Sequence, residues 1–119
     1  MDTKTVLIVD DSNLARMMVR KIFAISFKEW RVIEAKDGEE ALSMATSEIH
    51  LALLDFNMPG MNGLELAERL LGQCPKITVY LVTANIQERM SQRAESMGIG
   101  FIKKPISENK IYDIVKGVL

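Results

Sequence analysis

Residues 51–54 read Leu-Ala-Leu-Leu, an unbroken apolar run with no helical period. A run that short and that apolar predicts a strand buried on both faces, the kind found in parallel sheets covered by helices. It ends at Asp55. Asn57, Pro59, Gly60, Asn62 and Gly63 follow as the residues of a sharp loop. A carboxylate therefore stands where a buried strand leaves the core. In an open α/β sheet, ligands bind outside the carboxyl ends of the strands. On its own, Asp55 reads more readily as a turn former than as a reactive group.

The same pattern recurs along the chain. Val6, Leu7, Ile8 and Val9 make a second buried run, ending in Asp10 and Asp11. Leu14, Met17, Met18, Ile22 and Phe23 then recur at helical spacing. Residues 30–34, Trp-Arg-Val-Ile-Glu, predict a strand of mixed polarity at a sheet edge. Asp37 and Glu40 resemble a capping box that opens a helix with Ala41, Leu42 and Ala45 inward. After the central strand, Asn62 and Glu65 make a second capping pair. Leu64, Ala67, Leu70 and Leu71 line the face of that helix, and Pro75 stops it. Val79 to Val82 predict a fourth strand ending at Thr83. The helix after it carries only Ile86, Met90, Ala94 and Met97, a thin stripe that predicts loose attachment. Phe101 and Ile102 make a short fifth strand, followed by Lys103, Lys104 and Pro105. Ser107 caps a last helix with Ile111, Ile114, Val115 and Val118 inward. Strands alternating with helices give a parallel sheet with helices on both faces.

A length of 119 residues predicts a single domain over 1–119, with enough core to fold without disulfides or metal. The lone cysteine, Cys74, cannot pair within the chain and fits a reducing cytoplasm. A net charge of −1 gives no electrostatic case for nucleic acid. No stretch is long and apolar enough for membrane insertion. His50 stands alone and reads as a surface histidine. Eight methionines suggest an adaptable core or binding face.

In a parallel sheet the strand ends share one edge, so Asp10, Asp11, Asp55, Thr83 and Lys104 can converge on one cleft. Each also has a structural reading: the acid pair as a helix cap, Thr83 as a β-former, Lys104 as a solvated loop lysine. The chemistry favours convergence. Two carboxylates 4 Å apart repel by about 4 kcal/mol at an effective dielectric of 20. Three need more positive charge than one lysine supplies. Hard oxygen ligands favour Mg²⁺, and no zinc cluster or calcium loop is present. A carboxylate can also act as a nucleophile, forming an aspartyl phosphate. Its transfer would be assisted by Mg²⁺, the Lys104 ammonium, the Thr83 hydroxyl and loop N–H groups.

The ordered set resembles the bacterial response-regulator receiver domain, and is similar to the single-domain chemotaxis regulators. The motifs that carry the resemblance are Asp10-Asp11, Asp55-Phe-Asn-Met-Pro-Gly-Met-Asn-Gly, Thr83-Ala84, and Lys104-Pro105 with Phe101 three residues before the lysine. The resemblance spans essentially the whole chain. It implies a doubly wound five-stranded parallel sheet of flavodoxin-like order 2-1-3-4-5. It implies that Asp55 is the phosphoacceptor, Asp11 the direct Mg²⁺ ligand, Asp10 a ligand mainly through water, and Asn57 the source of a metal-binding carbonyl. Thr83 matches the switch hydroxyl, Lys104 the phosphate-binding lysine and Phe101 the switch aromatic. The family often has Tyr where Phe101 stands, so Phe101 can switch only by packing. Asn57 and Asn85, each two residues past a site residue, match positions that flank the path of hydrolytic water.

The function implied is two-component signal transduction. Asp55 takes a phosphoryl group from the phosphohistidine of a sensor histidine kinase or histidine phosphotransfer protein. The surface of the fourth helix, fifth strand and fifth helix then changes for an output protein or domain. The chain would be a phosphoacceptor that assists its own phosphorylation and slow dephosphorylation, not an enzyme in the usual sense. A receiver belonging to a larger regulator fits the sequence equally. An aspartyl-phosphate phosphatase would want an acid at Asn57, which cannot donate a proton as an acid. A flavodoxin-like carrier would want a Ser/Thr/Gly-rich loop after the first strand, and no nucleotide motif appears.

Overall fold

A computed structural model describes residues 3–46 and 48–118. Strands β1 (Thr5–Val9), β2 (Arg31–Ala35), β3 (Leu51–Asp55), β4 (Thr78–Thr83) and β5 (Gly100–Lys103) alternate with helices α1 (Asn13–Ser26), α2 (Gly38–Met44), α3 (Gly63–Gln73), α4 (Glu88–Ser96) and α5 (Glu108–Val118). The strands form one parallel sheet in the order β2-β1-β3-β4-β5. The apolar runs at 6–9 and 51–54 are thus β1 and β3, adjacent inner strands of the sheet, and both are buried throughout. The mixed strand β2 lies at the edge, as its polarity predicts.

Successive residues of each strand feed opposite cores. Leu7, Val9, Ala52, Leu54, Val79 and Leu81 pack against α2, α3 and α4 through Ala41, Leu66, Leu70 and Ala94. Val6, Ile8, Leu51, Leu53, Val82 and Ile102 pack against α1 and α5 through Val19, Phe23, Ile111 and Val115. This period of two is what a strand covered on both faces requires.

Several local expectations are corrected. In α1, Leu14 and Met18 are 62% and 55% exposed, while Val19 and Phe23 are buried. At about 100° per residue, Leu14, Met18 and Ile25 share one stripe, and Val19 and Phe23 lie on the opposite side. Trp30 is buried but precedes β2, in a turn where its N–H donates to the Phe27 carbonyl. The Asp37 cap forms, with its carboxylate accepting from Glu40 N–H at 2.8 Å. The Glu40 carboxylate accepts from Lys36 N–H at 3.0 Å instead of from Asp37 N–H, so the box is not closed on Asp37. Ile86 lies before α4 and is exposed. His50 is half-buried, and its Nδ1 accepts from Thr5 N–H at 3.0 Å, so it closes the start of β1 instead of standing free on the surface. Cys74 is buried. Its thiol donates to the Thr46 carbonyl at 3.1 Å, and burial raises its pKa, which disfavours the thiolate. No helix among the described residues is long and apolar enough to cross a membrane.

Candidate phosphoacceptor and metal site

The C-terminal edge of the sheet collects the predicted residues. Asp55 is the last residue of β3 and only 4% exposed. Asp10 follows β1 and is buried, and Asp11 is exposed beside it. Each of the three offers a carboxylate oxygen, and these oxygens all lie within 4.8 Å of one another. Lys104 reaches over from the β5–α5 loop, its Nζ 3.0 Å from Asp55 Oδ1. That ammonium is the partner of the buried Oδ1 among the described residues; no backbone N–H or hydroxyl donates to this oxygen. The Lys104–Pro105 peptide is cis.

The electrostatics follow from this crowding. Burial raises the pKa of Asp10, and the Asp55 and Asp11 charges raise it further. The Ser12 N–H, which bonds Asp10 Oδ1 at 2.9 Å, and the Lys104 charge only partly offset this. Burial pulls the pKa of Lys104 down, but Asp55, Asp10 and Asp11 outweigh it and leave the pKa raised. Three acids facing one lysine, their carboxylate oxygens within 4.8 Å of one another, make a donor set suited to a hard divalent cation such as Mg²⁺.

Local sequence explains how the acids are held. Phe56 N–H donates to the Val82 carbonyl, carrying the ladder one residue past Asp55. Gly63 then brings the start of α3 against this backbone. A Cβ there would lie 2.6 Å from the Asp55 carbonyl oxygen and 2.9 Å from Phe56 Cα. Its N–H bonds the Phe56 carbonyl at 3.0 Å. Sequence reading saw Gly63 only as a loop residue. It also missed Arg16. The Arg16 guanidinium donates to the Asp10 carbonyl at 2.5 Å, Asn13 Oδ1 at 3.0 Å and Glu34 Oε1 at 3.3 Å, tying the acidic loop to α1 and the edge strand. Nothing in the spacing of Arg16 marks it; only the crossover that sets α1 beside β2 does.

Other predicted residues are near but not joined. Thr83 ends β4 and is 2% exposed, yet its hydroxyl is engaged by its own loop. It donates to the Asn85 carbonyl at 3.2 Å and accepts from Asn85 N–H at 3.3 Å. Asn57 is exposed in the β3–α3 loop. Phe101 lies in β5, half-buried, opposite Leu81. A cleft of about 390 Å³ opens beside Asp10, Asp55 and Lys104 and runs under α1, where Met18 and Ile22 line it.

Comparison with known proteins agrees with this geometry. The family model of the response regulator receiver domain matches residues 6–116. Sporulation initiation phosphotransferase F of Bacillus subtilis is 31% identical, the match covering 100% of this chain and 96% of that protein. A cyclic di-GMP phosphodiesterase of Thermotoga maritima is 33% identical over 87% of this chain but only 27% of its own length. The chain thus spans about a quarter of that relative, and 53% of the glycerol metabolism activator of Pseudomonas putida. Among solved structures, the chemotaxis protein CheY4 of Vibrio cholerae superposes with a TM-score of 0.86 at 27% identity, covering 98% of this chain and 99% of that one. With the sheet order, the acidic cluster and the family match in agreement, this chain belongs to the receiver domains of two-component response regulators.

Proposed function

We propose that Asp55 accepts a phosphoryl group from the phosphohistidine of a sensor histidine kinase or histidine phosphotransfer protein. The observation that carries this is a buried carboxylate at a strand end, with a lysine ammonium 3.0 Å from one of its oxygens and two further acids gathered beside it. A carboxylate oxygen of Asp55 attacks phosphorus, the P–N bond to the imidazole breaks, and that electron pair leaves on the imidazole nitrogen. The product is an acyl phosphate. Lys104 holds the phosphoryl oxygens and neutralises part of their charge. Asp10, Asp11, Asp55 and the Asn57 carbonyl are the ligands that would hold Mg²⁺. When bound, Mg²⁺ supplies positive charge for phosphoryl oxygens and relieves the repulsion among the acids. Thr83 turns its hydroxyl from Asn85 to the phosphoryl group, and Phe101 repacks beside it. The surface of α4, β5 and α5 then changes for an output protein or domain. The chain is a phosphoacceptor in this account and not a turnover enzyme. A cytoplasmic place accords with the buried free thiol of Cys74.

The test is intact-mass measurement after exposure to acetyl phosphate, with and without Mg²⁺. One phosphoryl group is expected with Mg²⁺, and none on Asp55→Ala. An adduct of normal yield on Asp55→Ala would overturn the assignment.

A further inference from the structure

The cation of the site stands on a loop whose backbone is tied down from two directions. On one side, Lys104 N–H donates to the Thr83 carbonyl at 2.8 Å, which fixes the loop to the end of β4. On the other, Lys110 folds back from the first turn of α5. Its Nζ donates to the carbonyl oxygens of both Lys103 and Pro105, each at 2.8 Å. These two carbonyls bracket Lys104, one residue before it and one residue after.

The placement of Lys110 is unusual for a lysine. A cation in the first helical turn faces the positive end of the helix dipole. A lysine free to choose would lay its stem on the surface and keep its ammonium in water. Lys110 is instead half-buried, with its ammonium spent on two backbone acceptors. Its own N–H bonds Ser107 Oγ at 3.3 Å, so the start of the helix and the loop close on each other.

Lys104 needs such an anchor. Its side chain is 40% exposed, so packing alone does not set where its ammonium lies. Where its Nζ falls relative to Asp55 depends on where the backbone starts the chain of methylenes. We propose that Lys110 is a positioning residue for Lys104. By gathering the Lys103 and Pro105 carbonyls onto one ammonium, it sets the loop so that Lys104 Nζ meets the oxygens of Asp55 and of the phosphoryl group transferred to it. This rests on the reading that Lys104 contacts the phosphoryl group. Lys110 touches neither, and the acids Asp10, Asp11 and Asp55 stand at the ends of β1 and β3, away from this loop.

That separation gives the test. The phosphorylation rate with acetyl phosphate at saturating Mg²⁺ is followed by intact mass for the parent, Lys110→Met, Lys110→Arg and Lys104→Ala. Mg²⁺ affinity of each unphosphorylated protein is read from amide shifts of Asp10 and Asp11. Misplacing a reacting group by about 1 Å costs up to about 100-fold in rate, so a loosened loop predicts roughly tenfold slowing in Lys110→Met. Its Mg²⁺ Kd should stay within about twofold, as a positioning effect confined to Lys104 demands. Lys110→Arg, which keeps the charge and the donors, should recover most of the rate. Lys110→Met reacting at the parental rate while Lys104→Ala is slow overturns the role of Lys110 and leaves the receiver reading intact. Lys110→Met losing Mg²⁺ affinity in step with rate overturns it as general damage, and so does Lys110→Arg as slow as Lys110→Met. Lys104→Ala at the parental rate overturns the reading on which the inference rests.

Discussion

At the residue scale, the site is a place where charge is held against its own repulsion. Asp10 shows this best. Burial and its acidic neighbours favour its neutral form, so its pKa is higher folded than unfolded. Below the unfolded value both states are protonated and Asp10 makes no difference to stability. As pH rises from there through the folded pKa, the folded protein binds more protons than the unfolded one, and stability falls. Above the folded pKa the full cost of the charge remains. Asp10→Asn should therefore raise the urea midpoint at pH 7 without Mg²⁺, and flatten the loss of stability as pH rises from the unfolded carboxyl value through the folded one. A lower midpoint for Asp10→Asn would show that the Ser12 bond outweighs the crowding. A second residue prediction concerns hydrolysis of the acyl phosphate. Asn85 is exposed, and it is tied to the Thr83 hydroxyl only through backbone groups. Replacing its side chain should thus leave Thr83 in place while narrowing the approach of water. Asn85→Leu should lengthen the lifetime severalfold, as read by decay of the phosphorylated mass. The acids were legible from sequence because each ends an apolar run. Arg16 and Lys110 were not, because their importance lies in where long side chains fold back, which no spacing records.

At the element scale, the five helices are attached with unequal strength. In α3, the Asn62 side chain caps Glu65 N–H at 3.0 Å, and Gly63, Leu66, Ala67 and Leu70 are buried. In α4, the cap residue Gln87 makes no side-chain cap bond, and only Met90 and Ala94 are buried. An exposed ion pair from Arg93 to Glu68 of α3 adds little. Amides of α4 should exchange with solvent well before those of α3. Gln87→Asp, which supplies an acceptor and a negative charge at the helix start, should slow that exchange by about 1 kcal/mol of opening free energy. Equal exchange of α4 in the two proteins would show that its opening is governed by β4 and β5 instead. The thin stripe of α4 was legible in the sequence as a count of apolar residues. The inward face of α1 was not. Leu14 and Met18 satisfy helical spacing as well as Val19 and Phe23 do, and only the docking of α1 on β1 decides between the two stripes.

At the scale of the whole molecule, the proposed function requires a chemical event at one edge of the sheet to reach a surface made of α4, β5 and α5. The strand order is compatible with one route. β4 lies between β3, which carries Asp55, and the edge strand β5, which carries Phe101. Thr83 ends β4, so it borders both. In the structure its hydroxyl spends its donor and an acceptor site on Asn85, which closes the turn leading to α4. A phosphoryl group on Asp55 offers that donor a charged acceptor, and a charge-assisted bond is roughly twice as strong as a neutral one. Taking it breaks the bond to the Asn85 carbonyl, loosening the turn before the least anchored helix. A ligand shifts an equilibrium only by its different affinity for the two states, so without the hydroxyl the phosphate has little with which to favour the changed state. Thr83→Ala should accept phosphate on Asp55 at a rate within about threefold of the parent, because the hydroxyl makes no contact with the attacking oxygen. Amide shift changes on phosphorylation should persist around Asp55 but fall by more than half around Met90 and Phe101. If the distant shifts in Thr83→Ala match those of the parent, the coupling runs instead from Lys104 through the backbone of β5.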